Sequence, residues 1–430
     1  MDKSPNILWL NEIRKDDIPS VGGKGASLGE MTSIGLPVPQ GFVVTVQAFR
    51  RFLQLTKLED SIFDILEKLD IDDNSALNAT ADTVKAMVRS AKMPEAIQKE
   101  IAESYKKMGA DTVVAVRSSA TAEDLPDASF AGQQDTYLNI LGEADLLQSV
   151  QDCWASLYGG RAIYYRAKQG FDDRTVNIAV VIQKLVFSEK AGVMFSSHPI
   201  SGAETVIIEG SWGLGEAIVS GTVSPDKYVY DRKNTRITTK TIANKSVEII
   251  PDGNKGTKTV AIPENRQNVQ VLSDNEVAKL AEFAIISEEH YKVPQDMEWS
   301  MVGDTIYILQ SRPITTIQKN SSAASSYGRS SESAADSEII VQGYGASPGV
   351  ASGPIVIVTD AKNTSRVKEG DIMVSPMTNP DMVPAMRKVV GIITDEGGMT
   401  CHAAIVSREL GTPAVVGTKK ATALLQEGQI

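Results

Sequence analysis

The sequence predicts a fold of mixed α/β and α+β class, in two domains joined by a flexible linker. Short apolar runs typical of strands alternate with longer amphipathic segments typical of helices along most of the chain. The length of 430 residues suits two or three domains. Residues 318–338 consist mainly of serine, alanine and isolated charges, which cannot bury enough apolar surface to fold alone. We therefore predict domains at 1–317 and 339–430.

Both domains are expected to pack helices and sheets in two or three layers. In the larger domain the patterns predict strands at 112–116, 180–186, 206–209 and 305–310, and helices at 59–68, 82–91 and 276–290. In the smaller domain they predict strands at 355–358, 372–374 and 389–393, then a helix over 400–410.

Charge and composition exclude several classes of function. A formal net charge of −11 argues against nucleic acid and anionic membrane surfaces as partners. No apolar stretch approaches the ~20 residues of a membrane helix, and the first residues lack the apolar core of a signal peptide. The two cysteines, Cys153 and Cys401, are far apart and suggest neither a disulfide framework nor a zinc site. A cytoplasmic location is therefore expected.

A histidine at the start of the last predicted helix is the clearest single indication of chemistry. His402 follows the apolar run 389–393, with Thr400 as the expected N-cap and Gly411 as the expected helix stop. The positive end of a helix disfavours an imidazolium and favours an attached phosphoryl group. The position suits a phosphohistidine, and the alternative is a histidine that is merely capped or exposed.

Two earlier segments contain residue types that bind phosphate. Lys24 lies among the glycines of segment 21–30, at the expected entrance of a helix, where backbone N–H groups can approach phosphate oxygens. Arg117 stands at the expected end of a strand and is followed by a loop small enough to cover a triphosphate. An ordinary glycine turn and a surface arginine are the respective alternatives.

A predicted hairpin supplies candidate metal ligands. Asp296 and Glu298 are two residues apart on one strand, so they face the same side, and Gln310 and Arg312 alternate in the same way on its partner. Carboxylate and amide oxygens are hard ligands suited to Mg²⁺, while Arg312 suits phosphates. A solvated strand face is the alternative, although Trp299 and its apolar neighbours suggest burial.

These segments occur in the order found in a known enzyme family. The chain resembles the phosphoenolpyruvate synthases, or pyruvate, water dikinases, over nearly its whole length, most specifically at 117–126 and 397–403. The resemblance implies an ATP-grasp-type nucleotide-binding domain followed by a small swivelling β/β/α phosphohistidine domain. In this family a third domain, a (β/α)₈ barrel, binds pyruvate and phosphoenolpyruvate.

The resemblance also implies roles for individual residues. The expected nucleotide-binding residues are Lys24, Arg117, Gly132, Thr136, Gln183, Glu298, Gln310 and Arg312. Glu298 and Gln310, with Asp296 nearby, are expected to hold Mg²⁺. His402 is the expected phosphoryl carrier, and Thr400 matches the position on which a regulatory kinase and phosphatase protein acts.

The implied reaction begins with transfer of a pyrophosphoryl group from ATP to His402, which releases AMP. Water then removes the terminal phosphate, and the remaining phosphoryl group passes to pyruvate to make phosphoenolpyruvate. The sequence ends at Ile430 without a barrel. We therefore expect this chain to perform the ATP half-reaction, with the barrel supplied in cis or by another chain.

Three other functions remain open from the sequence. Pyruvate, phosphate dikinase uses phosphate in place of water, although Cys401 and the segment 123–126 are more similar to the water enzyme. Rifampin phosphotransferase shares the ATP residues but places a drug-binding domain where only the linker stands here. A nucleotide sensor without transfer would need the hairpin but not His402.

Overall fold

The structure, a computed structural model, describes residues 4–71, 73–109, 111–121, 135–168, 170–253, 255–314, 339–399 and 401–430. The linker 318–338, Gly132 and Thr400 lie outside the described residues. The chain divides into two compact units that are discontinuous in sequence. The first unit comprises residues 1–189, 249–260 and 297–312, and the second comprises 190–248, 261–296 and 313–430. The second unit contains residues from before and after the predicted linker. The domain boundaries predicted from the sequence stay a prediction.

The first unit packs helices on an antiparallel sheet. Its strands are β1 (Ile7–Trp9), β2 (Gly41–Val44), β3 (Val114–Ala120), β4 (Thr136–Ile140) and β5 (Ile178–Lys184), in the order β1-β2-β5-β3-β4. Its helices are α1 (Ile18–Ser33), α2 (Val46–Thr56), α3 (Leu58–Leu66), α4 (Asn74–Ser90), α5 (Glu95–Met108), α6 (Glu143–Ser156) and α7 (Gly160–Lys168).

An aromatic and aliphatic core holds these layers together. Phe42 and Ile182 from the sheet are buried with Phe49, Phe52 and Trp154 from the helices. The rings of Phe52 and Trp154 lie 4.8 Å apart, a separation at which aromatic pairs attract each other. Burial on both sides of β5 explains why its sequence reads as a continuous apolar run.

The second unit begins with an antiparallel meander and a long helix. The strands are β6 (Lys190–Phe195), β7 (Thr205–Trp212), β8 (Asp226–Asp231) and β9 (Arg236–Thr241), each paired with the next. The helices are α8 (Glu216–Val219), α9 (Glu264–Gln267) and α10 (Asp274–Tyr291). A capping box between Ser273 and Glu276 starts α10, because each side chain satisfies a backbone N–H of the other residue.

Two hairpins each include residues assigned to the first unit and residues assigned to the second. They are formed by β10 (Val247–Pro251) with β11 (Thr257–Ala261), and by β12 (Gln295–Val302) with β13 (Thr305–Pro313). The second hairpin turns at Gly303, whose φ of +53° favours glycine. This confirms the hairpin predicted from the sequence.

The last part of the second unit is a largely parallel sheet with helices. Its strands are β14 (Tyr344–Ser347), β15 (Ile355–Ile357), β16 (Ile372–Ser375), β17 (Gly391–Thr394) and β18 (Ala414–Val416), in the order β14-β18-β17-β16-β15. Its helices are α11 (Val383–Met386), α12 (His402–Leu410) and α13 (Ala421–Leu424). Four short 3₁₀ helices are seen in the described parts of the chain, at Leu10–Glu12, Lys15–Asp17, Ala361–Arg366 and Pro380–Met382.

These elements confirm the mixed α/β class predicted from the sequence. Every strand and helix predicted above overlaps an observed one. The ends differ by at most four residues, except that α4 begins eight residues before its predicted start at 82. Among the described residues, no helix combines the length and the apolar character needed to cross a membrane.

A buried ion pair in the second unit yields a stability prediction. Lys245 Nζ lies 2.5 Å from Asp226 Oδ1, both side chains are 0% exposed, and the carboxylate also accepts the Ala243 and Val271 N–H groups. Replacing Lys245 with alanine leaves a buried charge without its cation. We expect Lys245→Ala to lower the free energy of unfolding by about 3–5 kcal/mol, measured by urea titration.

Lys240→Ala is the matched control, because Lys240 pairs with Asp274 at the surface of the same unit. Exposed pairs contribute less than about 1 kcal/mol. Equal unfolding midpoints for the two variants would show that the buried pair matters no more than the surface pair.

Candidate active site

The glycine-rich segment that carries Lys24 is a kink within helix α1. Gly22 has φ of +70° and ψ of 174°, a non-helical conformation, and helical geometry resumes after it. A Cβ at Gly22 would lie 2.2 Å from the Ser119 carbonyl oxygen, so only glycine permits this approach. Lys24 therefore lies in the first turn after the kink, as expected for a residue at a helix entrance.

Ser119 on β3 fixes this segment through two hydrogen bonds. Its hydroxyl donates to the Val21 carbonyl at 2.8 Å and accepts the Gly25 N–H at 3.2 Å. Ser119 is completely buried, so both bonds are shielded from water. The sequence interpretation placed residues 118–120 in a loop over the phosphates. That was wrong, since β3 continues to Ala120 and its serines pack inside the unit.

Arg117 consequently lies in the middle of β3 and not at its end. Its side chain is buried and spans to the β12–β13 hairpin, donating to the Leu309 carbonyl at 2.8 Å and to Gln310 Oε1 at 2.6 Å. The same guanidinium lies 3.3 Å from Glu298 Oε2. Thr136 on β4 is the strand partner of Arg117, so this residue is also adjacent to the cluster.

One donor of Arg117 points to a ligand. Its Nε atom is buried and has no hydrogen-bond partner within the described part of the protein. A buried N–H without an acceptor costs free energy, so an acceptor is expected when the site is in use. A phosphate oxygen is an acceptor of the kind that this donor lacks, because guanidinium N–H groups form strong hydrogen bonds with phosphate.

Buried and half-buried side chains alternate along the hairpin, as its sequence predicted. Asp296 and Glu298 are half-buried between the buried residues Gln295, Met297 and Trp299. On β13, Gln310 and Arg312 flank the buried Ser311. The Ser311 carbonyl accepts the Ser27 hydroxyl of α1 at 2.6 Å, which ties the helix of Lys24 to the strand of Arg312.

The oxygen atoms of Glu298 and Gln310 converge on a single cationic nitrogen, Arg117 Nη2. A carboxylate and an amide oxygen converging on one point fit a Mg²⁺ ion, which prefers such ligands. Among the residues that the structure describes, no group of three or more His, Cys, Asp or Glu side chains is arranged to hold a metal. The Mg²⁺ ligand set therefore stays a prediction.

Gln183 differs from these residues in its surroundings. It lies on β5 opposite Ala115, and its side chain is buried and donates to the Pro39 carbonyl at 3.4 Å. The Gln183 amide thus makes a structural hydrogen bond, and its expected position beside the nucleotide base stays a prediction.

His402 is the first residue of α12 in the second unit. The N-cap is Cys401, with an extended backbone and no side-chain cap, so the expectation that Thr400 is the N-cap was wrong. Gly411 ends the helix in the left-handed conformation, as predicted. His402 is half-buried, and its Nδ1 lies 2.9 Å from Thr378 Oγ1.

Thr378 was not found from the sequence. It lies 24 residues before His402 in the loop after β16, and only the parallel pairing of β16 with β17 brings that loop to the start of α12. A hydroxyl that accepts the Nδ1 proton leaves the lone pair of a neutral imidazole on Nε2. The direction of this hydrogen bond depends on the ring tautomer, and in either direction it fixes the orientation of the imidazole.

Two further titratable groups, Cys401 and His198, have surroundings that suit a structural role. Burial raises the pKa of Cys401 to about 11, and the charge of Glu209 adds to this, so its thiol is protonated and unreactive at neutral pH. His198 Nδ1 accepts the N–H groups of Ile200 and Ser201, both at 3.3 Å. Burial lowers the pKa of His198, with a further contribution from Lys227.

Comparison with known proteins matches two domain families to this chain. The model for "Pyruvate phosphate dikinase, AMP/ATP-binding domain" matches residues 18–333. The model for "PEP-utilising enzyme, mobile domain" matches residues 367–430. The order of these two matches confirms the predicted nucleotide-binding domain followed by a mobile domain.

Curated relatives match nearly the whole chain. A probable phosphoenolpyruvate synthase of Archaeoglobus fulgidus is 51% identical over 99% of this chain and 56% of its own length. The phosphoenolpyruvate synthase of Pyrococcus furiosus is 45% identical over 98% of this chain and 57% of its own length. The chain thus spans little more than half the length of these relatives. It belongs to the family defined by the pyruvate phosphate dikinase AMP/ATP-binding domain, joined here to the mobile domain of the PEP-utilising enzymes.

Proposed function

We propose that this chain carries the ATP half-reaction of a phosphoenolpyruvate synthase, in which ATP pyrophosphorylates His402. One observation carries the proposal. Buried Arg117 joins Glu298 and Gln310 in the unit that holds Lys24, and its Nε lacks an acceptor among the described residues. This is the chemistry of a site for a metal-bound polyphosphate. The names of the curated relatives support the same activity.

The protein side of the reaction follows from these residues. Lys24, Arg117 and Arg312 bind the phosphate oxygens and stabilise the charge that develops during transfer. Glu298 and Gln310 hold Mg²⁺, with Asp296 nearby, and the metal neutralises phosphate charge when it is bound. Arg117 Nη2 then exchanges its bonds to these oxygens for bonds to phosphate. Gly132, Thr136 and Gln183 complete the expected nucleotide contacts.

His402 supplies the nucleophile. Its Nε2 lone pair attacks the β-phosphorus of ATP, so that a nitrogen–phosphorus bond forms while the bond between the β-phosphorus and the bridging α,β oxygen breaks. AMP leaves with that oxygen, and the ring keeps the proton on Nδ1 that Thr378 Oγ1 accepts. The positive end of α12 stabilises the attached group.

We propose the later steps for a longer protein of the kind that the curated relatives represent. Water removes the terminal phosphate from His402, and the remaining phosphoryl group passes to the enol oxygen of pyruvate. A pyruvate-binding barrel, a regulatory kinase and phosphatase protein acting at Thr400, and a cytoplasmic location are parts of the same proposal. We assign the movement of His402 between the ATP site and the pyruvate site to the linker 318–338.

Isotope position tests the proposed reaction. The protein is incubated with Mg²⁺ and ATP labelled with ³²P at the α, β or γ position. Acid-labile label is expected from β-labelled ATP and not from α-labelled ATP, with AMP as the nucleotide product. The γ label is expected to appear first on the protein and then as free phosphate.

Three results would change the assignment. Label from the γ position alone, with ADP as product, would overturn the transfer of a pyrophosphoryl group. Release of the γ label as pyrophosphate only when phosphate is added would assign the chain to the phosphate-dependent dikinases. Tight ATP binding with no label from any position would favour a nucleotide sensor.

A further inference from the structure

A buried carboxylate in the second unit contacts the loop that leads to His402. Glu209 lies on β7 and is 2% exposed, next to the buried Ile207 and Ile208. Its Oε1 accepts the backbone N–H of Met399 at 3.1 Å. Since burying a carboxylate is costly unless it is hydrogen-bonded, this bond connects the interior of the meander to the loop preceding α12.

Gly398 brings that loop unusually close to the carboxylate. A Cβ built on Gly398 would lie 2.9 Å from Glu209 Oε2 and 3.2 Å from its Cδ. Only a residue without a side chain fits this contact unless the carboxylate moves. The preceding Gly397 has φ of +107°, a conformation that also favours glycine. The loop backbone is therefore shaped to rest on Glu209.

Neighbouring contacts hold the same loop along the same face. Ser224 donates to Glu396 Oε2 at 3.1 Å. A Cβ on Gly221 would lie 3.4 Å from the Cβ of Cys401, which is ordinary packing distance. Phe195 and Ile207 share an apolar core with the sheet that carries α12. Among the residues that make these contacts, Glu209 is the buried charged one.

We infer that Glu209 is a positioning residue for His402: its carboxylate fixes the loop 396–399, and with it the start of α12, so that the imidazole is held in one orientation for the transfer step. The inference rests on the proposed function. Met399 is three residues from His402, so a loop displaced from Glu209 displaces the first turn of the helix and misaligns the nucleophile. A purely structural role would stabilise the unit without affecting the transfer step.

The test measures the single-turnover rate of labelling from β-labelled ATP in a set of variants. Glu209→Ala is expected to slow labelling by about tenfold to a hundredfold, the loss expected for one charged hydrogen bond. ATP affinity, whose residues lie in the first unit, is expected to stay unchanged. Glu209→Gln keeps an acceptor oxygen and is expected to recover part of the rate, because neutral hydrogen bonds are about half as strong.

A double variant separates positioning from general destabilisation. Gly398→Ala is expected to slow labelling because its Cβ collides with the carboxylate. Adding Glu209→Ala removes the collision, so the double variant is expected to be no slower than the slower single variant. Gly391→Ala on β17 is the control, because its Cβ would meet its nearest neighbours at an ordinary 3.5 Å. Hydrogen exchange of segment 396–401 gives a readout that does not need activity, with faster exchange expected in Glu209→Ala.

The outcomes distinguish the inference from the proposed function. If the unaltered chain is labelled and Glu209→Ala is labelled at the same rate or faster, Glu209 does not position His402. The inference is also overturned if the fold-reductions in labelling rate of the two single variants multiply in the double variant. If the unaltered chain takes up no label, the proposed function fails, and the positioning role fails with it even where exchange shows that the loop contact exists.

Discussion

Replacing His402 with alanine is expected to abolish transfer of label from [β-³²P]ATP to the protein, while ATP still binds. The reason is chemical, since the imidazole supplies the lone pair that forms the nitrogen–phosphorus bond. Alanine favours helices, so α12 is expected to persist in the variant. The measurement is acid-labile radioactivity on the protein after a single turnover, together with ATP affinity from a direct binding assay.

The other two histidines of the sequence, His198 and His290, are matched controls. His198→Ala removes an acceptor for two backbone N–H groups and is expected to lower stability but to leave labelling intact. His290→Ala, near the end of α10, is expected to leave both the stability and the labelling unchanged. Label that persists in His402→Ala and disappears in either control would place the phosphoryl carrier elsewhere.

Thr378→Val tests how the imidazole of His402 is oriented. Valine has nearly the same shape as threonine but cannot bond Nδ1, so the imidazole loses the hydrogen bond that orients it. Labelling is expected to slow about tenfold, the cost of one hydrogen bond in this role. An unchanged rate would show that another group orients the ring.

Glu298→Gln is expected to reduce the rate of labelling by about a hundredfold or more and to raise the Mg²⁺ concentration required for half-maximal rate. Glutamine has the same size and keeps an oxygen that can accept from Arg117 Nη2. The variant therefore loses the negative charge while the local contacts are preserved. The measurement is the labelling rate over a series of Mg²⁺ concentrations at fixed ATP.

Glu100→Gln is the control for this variant. Glu100 lies in the same unit and accepts a side-chain hydrogen bond from Asn6 at 2.9 Å, but it belongs to no part of the site. Its replacement is expected to leave the Mg²⁺ dependence unchanged. If Glu298→Gln responds to Mg²⁺ as the unaltered chain does, Glu298 is not a metal ligand.

Strands and helices with strong periodicity were predictable because local sequence dictates them. Strand β5 and helix α10 lie where their apolar patterns place them, within a few residues at each end. The end of β3 was misjudged, because Ser118, Ser119 and Ala120 resemble a loop in composition. They remain in the strand because β5 pairs with each of them, and residue composition alone does not contain that pairing.

The N-cap of α12 shows the same limit. Threonine is a better N-cap than cysteine, so the sequence favoured Thr400. In the structure the helix begins one residue later, after Cys401, which is buried near Gly397 and Gly221. Tertiary packing of the thiol therefore outweighed the local preference of the hydroxyl.

The sequence by itself determined the fold class, the position of His402 at a helix start and the side alternation of the hairpin, because each depends on residues close together in the chain. Tertiary structure alone decided the rest. Arg117 meets Glu298 and Gln310 across more than 180 positions of sequence, and Glu209 meets Met399 across 190. No local pattern encodes these contacts, because they arise only when strand pairing and core packing bring distant segments together.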